Sequence, residues 1–202
     1  MSKKKSLFSY SEKFEKKENK PNEQIIKHLK AESKKGKILF ITSSSEAVIA
    51  NQLGFDVTVV DSDLNVIKEG KKHNLNINYQ YTDFFNFSKR IKKDEFNLIL
   101  DNSYSNLLLR SKLPKYYKEI GRILKYNGNM ISKILSTDDS YCQKHCPKRH
   151  WTTIGDYHLN YFDKKQIYKI LRKFGFIINK YEIIKNKNTY HLLNSTMKAM
   201  KL

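Results

Sequence analysis

The sequence predicts an α/β fold around a mostly parallel sheet, and three observations lead there. Short β-branched runs alternate with helix-period segments along most of the chain, the pattern that layers helices on a parallel sheet. The stretch Lys37 to Asp61, KILFITSSSEAVIANQLGFDVTVVD, reads by itself as strand, small-residue turn, helix, strand and acid. The chain then closes on a helix, Gly175-Phe176, a strand, a short turn and a last strand. With 202 residues, positions 21 to 202 can bury a substantial core as one domain, preceded by a segment over residues 1 to 20.

Composition narrows the classes. Hydrophobic residues are 39% of the chain, but aromatics reach 12% and can fill a core. No run of 18 apolar residues occurs, so no membrane partner is expected. The start, MSKKKSLFSYSEKFEKK, has no apolar h-region, and Cys142 and Cys146 do not make a disulfide framework. These features predict a cytoplasmic protein. The net charge of +19 points toward nucleic acid, yet the cations are 34 lysines against 5 arginines. Arginine is the residue suited to phosphate and base edges, so a solvated lysine surface is the first reading and RNA the lesser partner.

In chain order, Pro21 opens a helix through Gln24, Ile25, Ile26 and Leu29 that closes near Lys35-Gly36. Lys37 to Ile41 is the first strand. Ala47, Val48, Ala50 and Leu53 then line one face of a short helix stopped by Gly54, and Val57 to Val60 is the second strand, ending on Asp61. Asp63 caps a helix carrying Leu64 and Ile67, ended by Gly70. Ile77 to Thr82 is a third strand, followed by Asp83 and Phe84. A carboxylate and a ring at this strand end suit adenine, while a capping Asp and a core Phe are the structural alternative.

The second half continues the alternation. Phe96 to Leu100 is the fourth strand, leading into Asp101-Asn102-Ser103-Tyr104. A helix from Lys115 to Leu124 reaches the turn Lys125-Tyr126-Asn127-Gly128, and Met130 to Leu135 is the fifth strand. Residues 136 to 161 are too polar and irregular for a sheet layer. Phe162-Asp163 opens a helix from Lys164 to Phe174, and Ile177 to Ile184 and Thr189 to Asn194 are the last strands.

The turn after the first strand limits the nucleotide. No glycine lies between Gly36 and Gly54 to let a pyrophosphate approach the backbone closely, so NAD or FAD bound in the usual way is not expected. A cofactor without phosphate asks only for a sharp turn beside a ribose. Asp61 follows Thr42 by 19 positions, close to the roughly 20 that separate loop from ribose-binding acid in nucleotide folds, and its side chain is expected at a solvent-accessible strand end.

This arrangement resembles the start of a class I S-adenosylmethionine-dependent methyltransferase, and the resemblance runs over residues 36 to 135. FNLILDNSYSNLL is similar to the thiopurine and tellurite methyltransferase-like branch, and KYNG stands where members commonly have K-P-G-G. The sequence departs from the family at the loop, with Phe40 in place of the acid and Thr42, Ser44 and Glu46 in place of the glycines. The resemblance implies a Rossmann-like seven-stranded sheet of order 3-2-1-4-5-7-6, strand 7 antiparallel, with helices on both faces. It implies S-adenosylmethionine as cofactor, against Thr42, Ser43, Ser44, Asp61, Ser62, Asp83, Phe84, Asp101 and Asn102. Residues 136 to 161 become an acceptor-side insertion, and Phe8, Tyr10 and Phe14 belong to a terminal lid or flexible segment.

The chemistry expected is in-line methyl transfer to a small molecule, with proximity and alignment supplying most of the rate. Tyr104, His150, Trp151 and His158, with Tyr157, are the candidate acceptor-side residues, since aromatic walls with a few polar groups make a small-molecule pocket. No residue is singled out as catalytic; Asp101, Asn102 or His158 can take or orient a proton if the acceptor is a hydroxyl or amine. Cys142, His145, Cys146, His150 and His158 lie within seventeen residues. They lack the second paired motif of a zinc site, so packing and not a metal is expected. Two other classes stay open: a noncatalytic methyltransferase-like protein, and an RNA-binding module.

Overall fold

The computed structural model describes residues 21–33, 35–42, 45–73, 76–154, 157–186 and 188–198. The expected lid over residues 1 to 20, Ser43, Ser44 and the Tyr157 side chain lie outside the described residues. The chain forms two compact units, Met1–Arg90 and Ile91–Leu202.

In the first unit α1 (Glu23–Ala31) precedes β1 (Lys37–Ile41), α2 (Glu46–Gln52), β2 (Asp56–Asp61), α3 (Leu64–His73), β3 (Asn78–Tyr81) and α4 (Phe84–Ser88). β1 pairs in parallel with β2, Lys37 opposite Asp56, and β2 with β3, Asp61 opposite Tyr81. Ile38, Leu39, Phe40, Val57 and Val59 are buried, as a strand covered on both faces requires. The helix expected to run to Lys35-Gly36 stops at Ala31, because the Lys35 ammonium reaches back and donates to the carbonyls of Leu29 at 2.8 Å and Glu32 at 2.7 Å. Those are carbonyls that a longer helix would have satisfied itself.

Gly70 does not end its helix, as expected, but sits inside α3. A Cβ there would lie 2.4 Å from the Tyr79 ring, so the glycine lets helix and strand approach.

The second unit holds β4 (Phe96–Asn102), α5 (Tyr104–Leu107), a 3₁₀ turn (Arg110–Lys112), α6 (Leu113–Ile123) and β5 (Leu124–Leu135). It continues with α7 (Ser140–His145), β6 (Trp151–Ile154), β7 (Tyr157–Asn160), α8 (Lys164–Lys173), β8 (Phe176–Lys185) and β9 (Thr189–Met197). Tyr116, Tyr117, Ile120 and Ile123 form the buried face of α6. α8 opens on a capping box in which Asp163 accepts from the Gln166 amide at 2.8 Å and Gln166 accepts from the Asp163 amide at 3.2 Å.

β5 starts at Leu124, earlier than the expected Met130. Its pairing with β4 slips between Phe96 and Leu98, and Asn127 takes a left-handed φ of 61°, so the turn residues are absorbed as an irregularity in the strand. Residues 136 to 161 stay out of the main sheet but are more ordered than their polarity suggests. They fold into α7 and an antiparallel hairpin, β6 with β7, that forms its own two-stranded sheet.

The seven remaining strands form one sheet of order β3-β2-β1-β4-β5-β9-β8. β9 is antiparallel to both β5 and β8. Counting only sheet members, this is the order 3-2-1-4-5-7-6 expected from the sequence, with its last strand reversed. Among the described residues, no helix is long and apolar enough to cross a membrane.

Candidate functional site

In the first unit the candidate residues cluster at the carboxyl ends of the strands, where open α/β sheets bind ligands. Thr42 follows β1 with φ of 72°, and its amide donates to the Val60 carbonyl at 3.0 Å. A β-branched residue thus holds a conformation that glycine adopts without cost. Glu46, the residue at the third glycine position, is buried and its carboxylate accepts from the Asn22 amide at 2.7 Å, closing the start of α1.

Asp61 ends β2, but it is only 3% exposed, so the solvent-accessible position expected for it is corrected. The reason is local: Oδ1 folds back onto the Asp63 amide at 2.8 Å, and Thr82 donates to the Asp61 carbonyl at 2.9 Å. Ser62 beside it is exposed.

After β3, Asp83 caps α4. Its carboxylate accepts from the Asn86 amide at 3.1 Å and from the Asn86 side chain. Phe84 is 1% exposed and packs edge-to-face on Phe85 at 5.6 Å. A ring so enclosed presents no face to a base, whereas Asp83 caps α4 and stays partly exposed.

In the second unit Asp101, near the end of β4, is fully buried. Its Oδ1 accepts from the amides of Tyr104 at 2.8 Å and Ser105 at 3.3 Å, which start α5. Burial pushes the carboxyl up to about 6, against the opposing pull of Ser105, Tyr116 and the Tyr104 amide. Asn102 follows, partly exposed, and Tyr104 packs against Tyr116 with ring centres 5.6 Å apart.

The acceptor-side candidates come together through residues the sequence did not single out. Asn106 on α5 donates to the Asn160 carbonyl at 2.7 Å and accepts from the Leu135 amide at 3.2 Å. Asn160, at the end of β7, donates to the Leu108 carbonyl at 2.5 Å and to the Asn106 carbonyl at 3.4 Å. Both asparagines are fully buried. Arg110 spans the same joint: Nε donates to Asn160 Oδ1 at 3.3 Å, and a terminal nitrogen to the carbonyls of His150 at 3.2 Å and Tyr161 at 3.4 Å.

This network carries the hairpin on which Trp151 and His158 stack, ring centres 5.3 Å apart and planes at 29°. Trp151 is 36% exposed, with the Arg149 guanidinium 6.0 Å above its ring. It borders a cavity of about 360 Å³ shared with Arg149, Thr152 and Thr153. The structure therefore brings Trp151 and His158 together and ties His150 to the same joint through its backbone, while Tyr104 lies on α5 against Tyr116. Neither Asn106 nor Asn160 carries a local signal, since their partners lie up to 54 residues away.

Cys142 and Cys146 are both buried, with sulfurs 3.6 Å apart across the last turn of α7. Burial first, then the neighbouring Cys146, pushes the Cys142 thiol up to about 12, so Cys142 packs as a neutral thiol. His145 lies on the Tyr141 ring at 4.3 Å.

The strand order and the reversed last strand define the Rossmann-like architecture of class I S-adenosylmethionine-dependent methyltransferases. Solved structures of that class superpose on nearly the whole chain. The 1,6-didemethyltoxoflavin-N1-methyltransferase of Burkholderia thailandensis, solved with its substrate and S-adenosylhomocysteine, matches with a TM-score of 0.71 at 11% identity, over 98% of this chain and 93% of that one. A SAM-dependent methyltransferase from Methanosarcina mazei matches with a TM-score of 0.69 at 14% identity, over 86% and 97%. TehB from Haemophilus influenzae matches at 0.66 and 18% identity, over 93% of this chain and 66% of its own. No family model and no curated protein matches the sequence.

Proposed function

We propose that this protein is an S-adenosylmethionine-dependent methyltransferase acting on a small molecule. The observation that carries the reading is the pairing of Thr42 and Asp61 at the ends of β1 and β2. Thr42 holds the left-handed φ that the family's loop obtains from glycine, and the Asp61 carboxylate stands at the strand end where a ribose-binding acid belongs. Thr42 thus supplies the backbone conformation, and Asp61 the strand-end carboxylate, that support a phosphate-free nucleoside cofactor.

In this reading Asp61 binds the ribose hydroxyls and Asp83, with about half of its lone pairs already used on α4, accepts from the adenine amine. The cofactor supplies an activated methyl group on a sulfonium, and the chain's task is alignment and exclusion of water. Asp101 starts α5 from beneath, Tyr104 extends from that helix, and the Trp151–His158 pair walls the acceptor side. A small-molecule acceptor fits aromatic walls of this kind.

One observation favours the noncatalytic alternative: the branched Thr42 side chain occupies a turn that glycine would leave open. Calorimetric titration separates the two. The enzyme predicts saturable binding of S-adenosylmethionine and of S-adenosylhomocysteine; no heat and no thermal shift at millimolar ligand would sink it. An RNA-binding module predicts affinity that falls steeply with salt, and absence of RNA binding at low salt removes that class.

A further inference from the structure

The Asn160 amide can sit only one way round. Its Nδ2 meets two groups that only accept, the carbonyls of Leu108 and Asn106. Its Oδ1 meets Arg110 Nε, which only donates. The other group on Oδ1 is His158 Nε2, at 3.0 Å. An oxygen can only accept here, so Nε2 carries the hydrogen, and in the neutral ring the lone pair falls to Nδ1.

His191 makes the contrast. Its Nε2 faces the Phe162 carbonyl at 2.8 Å, which fixes the same tautomer, but its Nδ1 is covered by the Tyr181 hydroxyl at 2.7 Å. Among the described residues His158 Nδ1 has no hydrogen-bond partner, and the ring is only partly buried beside Trp151.

We propose that Asn160 is a positioning residue that locks His158 with Nδ1 as its basic nitrogen, and that His158 thereby takes the proton of a hydroxyl or amine acceptor. This rests on the methyltransferase reading and adds the acceptor class to it. The two other groups able to take or orient a proton fall away. Asp101 has Oδ1 committed to two amides and Oδ2 sealed from solvent, and the Asn102 amide has no basic lone pair. In the step the acceptor's lone pair bonds to the methyl carbon, and the carbon–sulfur bond breaks with its electron pair left on sulfur. The acceptor's proton passes to Nδ1 and then to water.

The test is long-range nitrogen–proton NMR on full-length protein labelled with ¹⁵N-histidine, which reads the tautomer without any turnover. The wild type is expected to show His158 protonated at Nε2, with Nδ1 at the unprotonated position. Asn160→Leu removes the oxygen that Nε2 meets and should collapse that signature to a tautomer average. An Nδ1–H form in the wild type, or an unchanged signature in a folded Asn160→Leu protein, overturns the proposal, and the wild-type spectrum suffices if that variant does not fold. As an activity readout, His158→Gln should lose roughly 100-fold in methyl transfer to a probe phenol that keeps its proton at the assay pH, such as 4-methylphenol, the scale of a general base. Transfer at the wild-type rate also overturns it. Failure to bind S-adenosylmethionine would sink the methyltransferase reading alone and leave the tautomer result standing.

Discussion

The two units hold their candidate residues by different means. In the first, each polar side chain at a strand end is engaged within a few positions of itself: Asp61 with Asp63, and Asp83 with Asn86. In the second, the acceptor-side residues depend on partners far away in sequence: Asn106 with Asn160 and Leu135, and Arg110 with His150, Asn160 and Tyr161. Short-range contacts tolerate change because a turn can relax; a buried long-range joint leaves several groups unpaired at once. The difference teaches that residues 136 to 161 are a built part of the second unit and not an appended loop.

The largest effect should follow from breaking that joint. Asn106→Leu leaves the Asn160 carbonyl and the Leu135 amide buried without their partner. At about 1 to 3 kcal/mol for each of the two orphaned groups, the loss should be about 2 to 6 kcal/mol. Urea melts of the wild type and the variant measure it; a loss under about 1 kcal/mol would erase the contrast between the units.

Next comes Asp101→Asn, which keeps an oxygen for the Tyr104 and Ser105 amides and removes the buried charge. The Asp101 carboxyl is raised from 3.8 to about 6 in the fold. Its protonated form therefore favours the native state, a contribution fully present below about pH 4 and lost as the pH rises through 6. At pH 7 to 8 the asparagine variant should be more stable by about 2 to 3 kcal/mol. That gain should vanish toward pH 4, and a gain independent of pH would show that the charge is not its source.

A smaller effect is expected at Asp61. Asp61→Asn retains the turn onto the Asp63 amide but weakens a charge-assisted bond to the ribose, so cofactor affinity should fall roughly tenfold, about 1.4 kcal/mol, with little change in melting temperature. Asp61→Ala should lower both, the stability by about 1 kcal/mol through loss of the turn. Unchanged affinity in both variants, in a protein whose wild type binds, would remove Asp61 from the site. The smallest effect is Thr42→Gly, which releases a left-handed φ of 72°. It should raise stability by about 0.5 to 1 kcal/mol, read as a small rise in melting temperature; a fall would show that the threonine side chain contributes more than its strain costs.

By itself the sequence determined the fold class and the main-sheet strands in their order along the chain, because periodicity, capping residues and turns act over a few positions. Lys37 to Ile41 is a strand at those limits, and Asp63 and Asp83 each cap the turn that follows them. The strand order was legible through a family resemblance resting on the same local segments. Only the tertiary structure decided what the side chains do once buried. Gly70 looked like a helix stop and is a gap for the Tyr79 ring. Asp61 looked exposed and is enclosed, and Phe84 presents no surface to a base. The welding of residues 136 to 161 through Asn106, Asn160 and Arg110 left no mark on the pattern of polarity, because an asparagine reads as a loop residue until its partners arrive. Hydrophobic periodicity records which side of an element is covered; the hydrogen-bond partners of a buried polar group are set by chain segments tens of residues away, and only folding brings them within 3 Å or so.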